Sequence, residues 1–478
     1  MMLTLSSAQA MSAGSVWYSD GDPLSTSLEL PPVVYGKGFK SEFTEQSCAG
    51  IDFNKLLTLA DVTEAALWNN PQTRESYANA KVLAAQLGVA KSAFLPTLTD
   101  NLSVNENFTD PKSASRGREF NNLNNSLAAS YLLYDFGNRD AALENARQLL
   151  NAVSATQSAV VQNILLAAIK AYYQVQTDVA LLEAAKESEN FNLESFKAAD
   201  AKYKAGVSTP ADKLQAETAY AQAVLTRVSA EGTLKNDLGI LANVMGLNAN
   251  MPLKLVAISN AAINAGEVER DISQLIEYAR VRRPDLVASE AQVNAAKATI
   301  AASRAAAKPT LSIGLSNSFL DGSSLASSNT STLGLTVSVP IFSGYAPSYR
   351  IRAAEANSEV KEAQRDQLKL QISLDVWTAF QNLRTAHETI KSAEVLVNSA
   401  KESARVALGR YKAGVGNIID TLNAQSALAS ANQQKIKADL SRNIARAALA
   451  QAIGTLDSVM IQSLPDGNAE LSEANLKK

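Results

Sequence analysis

The chain holds one histidine, His387, and one cysteine, Cys48, among 478 residues. A single His removes His-rich metal sites and any imidazole catalysis beyond that residue. A single Cys removes an intrachain disulfide and a Cys-based zinc cluster. Cys48 sits in Gln46-Ser47-Cys48-Ala49, lacks the Leu-x-x-Cys form of a lipid-modified cysteine, and reads as an unpaired thiol. Gly414-Val415-Gly416 is a Gly-x-Gly without a third Gly or a preceding strand, so it is no phosphate cradle. No nucleophile–base pair emerges, and the expectation is a chain with no catalytic residue, no metal and no cofactor. Two carboxylates remain that can act electrostatically. Asp212 and Asp420 each lie six residues after the Gly of a repeated Tyr-Lys-Ala-Gly-Val. As first-turn acids they would stabilise a helix N-terminus by ~0.3–1 kcal/mol.

The repeated motif is part of a longer self-similarity. Asn70-Pro71 opens a helix-like stretch that closes at Leu95-Pro96-Thr97-Leu98. Arg283-Pro284 opens another, closing at Lys308-Pro309-Thr310-Leu311, with both Pro pairs 213 positions apart. Tyr203-Lys-Ala-Gly-Val207 and Tyr411-Lys-Ala-Gly-Val415 are 208 apart. Asp212 and Asp420, Leu214 and Leu422, Gly246 and Gly454 share that offset, as do Leu133-Tyr134-Asp135-Phe136 and Ile341-Phe342-Ser343-Gly344. The reading is two copies of a unit of about 210 residues.

Each copy must position its turn with helices and strands. Leu311, Ile313, Leu315 and Phe319 alternate with Ser312, Gly314, Ser316 and Ser318. Leu333, Leu335, Val337 and Val339 alternate with Thr332, Gly334, Thr336 and Ser338. That is period two, with one apolar and one small-polar face, at nearly the ~9–11 residues of a bilayer-crossing strand. No Gly or Pro interrupts 138–205 or 348–408, room for helices of ~90–100 Å. Val161, Leu165, Ala168, Tyr172, Val175, Val179 and Leu182 step four and three in turn, a coiled-coil seam. Val376, Phe380, Leu383, His387 and Ile390 take the equivalent places, which makes His387 a seam or cavity-facing polar residue.

The predicted organisation is a signal-peptide remnant at 1–10, ending Ala8-Gln9-Ala10, and an irregular leader at 11–58. A first repeat follows at 59–247 (helix, β-hairpin 97–135, long helix, turn near 206, helix), then a connection at 248–271. The second repeat is 272–456 (helix, β-hairpin 310–342, long helix, turn near 414, helix), and 457–478 is a C-terminal segment. Gly and Pro, 22 and 13 in number, make about 7% of the chain against a usual ~12%, as long helices require. A net charge of −3 gives no electrostatic case for nucleic acid. No run approaches 18 apolar residues, so no spanning α-helix is expected. Four strands cannot cross a membrane alone because their edges stay unpaired; three chains would supply twelve strands to one barrel. The alternative is a soluble coiled-coil scaffold without a pore.

In this order and spacing the motifs resemble the TolC-like outer-membrane factor family over roughly residues 55–460. The resemblance rests on the Pro-led hairpins, the Tyr-Asp-Phe-Gly and Phe-Ser-Gly strand exits, and the paired Tyr-Lys-Ala-Gly-Val turns followed by Asp. It implies a mostly α fold with a transmembrane β segment. Three internally duplicated chains would share a twelve-stranded β-barrel continuous with a long periplasmic α-helical barrel. It implies an exit duct of a tripartite efflux pump or type I secretion system in the bacterial outer membrane, contacting outer-membrane lipid. A periplasmic adaptor and an inner-membrane transporter would complete it. Tyr203, Gly206, Val207, Tyr411, Gly414 and Val415 would form the adaptor-facing periplasmic tip, Asp212 and Asp420 the pore constriction, and Pro96 and Pro309 the hairpin starts. Where the best-known member has a latching Arg, this chain has Gly416, and the next acidic ring position is Asn423.

Overall fold

A computed structural model describes residues 22–26, 53, 55–109, 118–256, 271–323, 325–457, 461 and 464. The signal remnant, Cys48, most of the leader, residues 257–270 of the connection and most of the C-terminal segment lie outside the described residues. Eight helices and four strands are found among the described residues. They are α1 (Leu59–Asn69), α2 (Pro71–Ser92), β1 (Thr97–Thr109), β2 (Arg118–Tyr134), α3 (Asn138–Lys204) and α4 (Pro210–Val244). After the connection come α5 (Ile272–Arg282), α6 (Pro284–Ala305), β3 (Thr310–Gly322), β4 (Leu325–Ser338), α7 (Ala346–Lys412) and α8 (Ile418–Ala452). The helices match pairwise in length: 11 residues in α1 and α5, 22 in α2 and α6, 67 in α3 and α7, 35 in α4 and α8. The fold is mostly helical.

The chain divides into two compact units. The first, with residues 78–154 and 288–366, contains the sheet. Its strands run antiparallel in the order β1-β2-β3-β4, so β1 and β4 each keep one unpaired edge within the chain. The register Tyr131↔Ile313↔Leu335 and Ala129↔Leu315↔Leu333 places apolar side chains of successive strands in rows on one face. The other face carries rows such as Ser130↔Gly314↔Gly334 and Ala128↔Ser316↔Thr332. The apolar rows are not covered: Leu102, Val104, Leu333, Leu335 and Val337 are all exposed. β4 stops at Ser338 because Pro340 has no N–H for the ladder. Each strand exit turns into a long helix through two successive left-handed residues, Phe136-Gly137 (φ 54° and 86°) and Gly344-Tyr345 (φ 63° and 61°). At the first exit the buried Asp135 carboxylate accepts from the Arg139 amide (2.9 Å) and guanidinium (3.1 Å).

The second unit, with residues 32–77, 155–287 and 367–478, holds the larger cores. One core gathers Leu59, Val62, Val161, Leu165, Ala168, Ile169, Tyr172, Val175, Leu241 and Met245. Another gathers Leu275, Leu286, Ile372, Val376, Leu383, Ala386, Ala445 and Leu449. Gly246 (φ 72°) closes α4 against the Asn69 carbonyl, which would stand 2.5 Å from any added Cβ. Arg283 joins Asp285 (2.6 Å) to Asp375 (2.8 Å) where α5 gives way to α6. An 18-residue stretch of α3 is apolar enough by composition to cross a bilayer, which the sequence reading did not expect. Of that stretch, 44% is buried inside the protein.

The seam departs from expectation at two places. Val179 is 43% exposed, and the buried neighbour that takes its place is Asp178. His387 is exposed, and Ala386 is buried instead. The reason is geometric: the buried stripe steps three before four, through 175, 178 and 182 and through 383, 386 and 390.

Candidate functional site

The turns near 206 and 414 are built alike. At the end of α3, the Val207 N–H donates to the Lys202 carbonyl (3.0 Å) and Gly206 N–H to that of Tyr203 (2.9 Å). At the end of α7, Val415 donates to Arg410 (3.0 Å) and Gly414 to Tyr411 (3.2 Å). This paired pattern needs a left-handed residue at the glycine, and φ is 74° at Gly206 and 77° at Gly414. Val207 and Val415 are exposed at 72% and 70%, presenting one valine on each turn to solvent.

The next helices start differently, and the difference decides what the two aspartates can do. Thr209 and Asp212 form a reciprocal capping box: the Asp212 N–H donates to Thr209 Oγ1 (3.3 Å), and the Thr209 N–H to Asp212 Oδ2 (3.2 Å). The Asp212 carboxylate is therefore engaged at the N-terminus of α4. At α8 the cap is Asn417, whose Oδ1 accepts from the Asp420 N–H (2.7 Å). The Asp420 carboxylate instead lines a cavity of about 570 Å³ with Glu402, Arg410, Gly416 and Asn423. Gly416 is tightly seated there, since an added Cβ would stand 3.0 Å from Arg410 Cβ and 3.1 Å from the Tyr411 nitrogen.

A small apolar cluster ties these ends together. Ala199, Ala216 and Ile418 are buried, with Phe196, Tyr411 and Leu422 packed against them. Lys202 Nζ stands 3.7 Å above the Tyr411 ring, and Lys213 Nζ lies 5.7 Å from the Tyr203 ring centroid. Asp200 takes Lys204 (2.6 Å) and Lys213 (2.9 Å), and those hydrogen bonds hold its carboxyl below the ordinary carboxylate range. The structure thus brings Tyr411 against the end of α3 while Tyr203 stays half exposed. Sequence reasoning missed Lys202, Asp200 and Lys213, although charged residues flanking a turn glycine were visible as a pattern. Pro96 and Pro309 each stand immediately before a strand. Nothing in this arrangement is a nucleophile poised on a base; it is a set of capped turns, exposed valines and charged grooves.

The chain is similar to known proteins along most of its length. The family model described as "Outer membrane efflux protein" matches residues 62–247 and 275–455. Protein CyaE of Bordetella pertussis is 29% identical over 417 residues, covering 86% of each chain. Outer membrane protein TolC of Vibrio cholerae is 25% identical over 434 residues, covering 87% of this chain and 94% of that one. Among solved structures, the outer-membrane channel OprN superposes with a TM-score of 0.75 at 19% identity, over 87% of this chain and 98% of its own. The Campylobacter jejuni CmeC outer membrane channel gives 0.75 at 18% identity, over 88% and 89%. With the family model covering well over half of its residues in two successive stretches, the chain belongs to the outer membrane efflux protein family.

Proposed function

We propose that the protein is an outer-membrane exit duct that passively conducts substrates delivered by an adaptor and an inner-membrane transporter. The observation that carries the proposal is the exposed apolar sheet face. A soluble four-stranded sheet would cover the rows of Leu315, Leu333, Leu335 and Val337; here they stand exposed beside two unpaired strand edges. Lipid solvates such rows, and edge closure by neighbouring copies satisfies the backbone. Three copies joined edge to edge would give twelve strands. The pairwise equal helix lengths, the four glycine-closed helix ends and the 208-residue offset support an internally duplicated chain. A soluble scaffold explains none of the exposed sheet face.

The turns would form the adaptor-facing tip, through Val207 and Val415 with Tyr203, Gly206, Tyr411 and Gly414. The pore constriction would be dominated by Asp420, whose carboxylate lines an open groove, with Asp212 divided between helix capping and pore charge. The protein reconstituted in planar bilayers should form cation-preferring channels, and Asp420→Asn should weaken that preference more than Asp212→Asn. Absence of discrete channels, or extraction without detergent, would sink the duct; unchanged selectivity in both variants would sink the ring assignment.

A further inference from the structure

Along the seam of α3, the layer through Ala171, Asp178 and Ala185 repeats every seven residues, with one carboxylate between two alanines. The residues 208 positions on are Ala379, Ala386 and Ala393 of α7. Beside Asp178 lies the Asp237 carboxyl of α4, and 208 positions beyond Asp237 is Ala445 of α8. Ala386 and Ala445 are both buried in one apolar core. Helix packing of this kind therefore has an all-alanine solution in the same chain, and the two acids are not demanded by the fold.

They are also unfavourably placed for structure alone. Asp178 is 3% exposed. Its Oδ1 accepts from Gln174 Nε2 (3.1 Å), while its Oδ2 is buried with no N–H donor on it among the described residues and only the Asp237 carboxyl beside Asp178. A buried carboxylate left in that state is expensive. Arg227, next in sequence to a cavity residue, is already held by Glu189 (2.5 Å) and Glu231 (3.3 Å). Asp178 lines a cavity of about 510 Å³, within the ~300–1,000 Å³ range of small-molecule sites. Its walls mix hydrocarbon from Leu181, Ala185 and Leu225 with neutral polar groups of Gln222, Thr226 and Gln433. Lys437 of α8 lines it too, with its residue exposed to water.

We propose that this cavity binds an organic ammonium ion with an apolar body, its nitrogen hydrogen-bonded to Asp178 and its hydrocarbon part against Leu181, Ala185 and Leu225. The carboxylate selects a cation, and the aliphatic wall selects one that carries hydrocarbon. Among the described residues no group of three or more His, Cys, Asp or Glu side chains is placed to hold a metal ion. The groups around Asp178 that carry or can carry charge are Asp237 from α4 and Lys437 from α8. A proton held by Asp178 competes with the ammonium, so binding strengthens as the pH rises. The inference is independent of the pore assignment, because the site would bind its ligand whether or not the protein conducts.

The test is equilibrium dialysis of 4-phenylbutylamine against the full-length protein in lipid nanodiscs, with empty nanodiscs as blank and 4-phenylbutan-1-ol as the uncharged analogue. The amine should bind saturably with a Kd below about 1 mM at about pH 8.5. The alcohol should bind at least about tenfold more weakly, and the amine itself should weaken severalfold at about pH 5.5. Asp178→Asn should lower amine affinity about tenfold or more. Leu225→Trp, at a surface position that leaves the helix seam alone, should lower it severalfold with helicity unchanged. Equal affinity for amine and alcohol, equal affinity of parent and Asp178→Asn, or no saturable binding would each overturn the proposal.

Discussion

Replacing Asp178 by Asn should make the protein more stable in alkali, an unusual direction for a core substitution. Burial, followed by the neighbouring Asp237 carboxyl, raises the Asp178 pKa from 3.8 to about 7, against a lowering contribution from Gln174. The folded chain thus keeps a proton that the unfolded chain has already released. Where the native state binds more protons, stability falls as the pH rises. The stabilisation is complete below about pH 3.8 and is lost as the pH climbs through about 7. Roughly three pH units at 1.36 kcal/mol each set an upper bound of about 4 kcal/mol, shared with whatever relaxation the seam allows. Asparagine reproduces the protonated shape, and its amide can donate to Asp237. At about pH 3.5 the variant and the parent should match within about 1 kcal/mol, at about pH 5 the variant should lead by about 1–2, and at about pH 9 by up to about 4. Thermal unfolding of both proteins, followed by far-ultraviolet circular dichroism across this range, reads the difference directly. Parallel curves, with a constant gap at every pH, would refute the buried-proton reasoning.

Three further comparisons probe separate links. Gly246→Ala should destabilise by about 3 kcal/mol or more, because a Cβ would meet the Asn69 carbonyl at 2.5 Å in a left-handed backbone. Gly206→Ala, with the same backbone but open space around it, should lose only about 1 kcal/mol, and denaturant melts would compare them. Leu335→Arg on the apolar sheet face should impair membrane assembly by about 2–4 kcal/mol, while Thr336→Arg on the other face is tolerated. Heat-resistant oligomer in outer-membrane fractions is the readout, and equal yields would contradict the lipid-facing assignment. Lys202→Gln and Tyr411→Leu should be non-additive in stability by about 0.5–1 kcal/mol, as the cation–ring contact requires. A cycle that closes to zero would remove that contact from the account.

Much of the architecture was legible because it was written in backbone restrictions rather than in side-chain preference. Pro96 and Pro309 cannot donate to a ladder, and strands begin at the next residue of each. Gly206, Gly246, Gly414 and Gly454 all have positive φ, and each closes a long helix. Alternation in 311–319 and 333–337 falls within β3 and β4. The turn chemistry was only half visible. Asp212 and Asp420 have equal spacing from their glycines, yet Thr209 draws one into a reciprocal cap while Asn417 does all the capping at the other. The difference lies in the return bond: the Thr209 backbone N–H donates to the Asp212 carboxylate and completes the box, whereas the Asn417 cap is made through its side-chain oxygen and the Asp420 N–H.

The seam explains the remaining miss and why the further site stayed hidden. Positions 161, 168, 175 and 182 belong to the stripe whether the steps run four-three or three-four, so hydrophobicity had to choose between 178 and 179. Val179 is the more apolar, and an apolarity criterion selects it. The buried residue is Asp178, because the layer at 171, 178 and 185 is set by helix geometry rather than by the chemistry of any one member. On α7 the same ambiguity set His387 against Ala386, and the small residue is again the one inside. On α3 the two rows both pack inward at 171 and 172, with Tyr172 fully buried and Ala171 partly so, and they part only at 178 and 179, where a carboxylate enters the seam. A charge in an alanine layer is a conflict between local chemistry and packing, and such conflicts persist where something other than stability selects for them. Comparing the two halves of this chain therefore points to the buried Asp178, with the half-buried Asp237 beside it, as acids that stand where the partners 208 residues away are alanines.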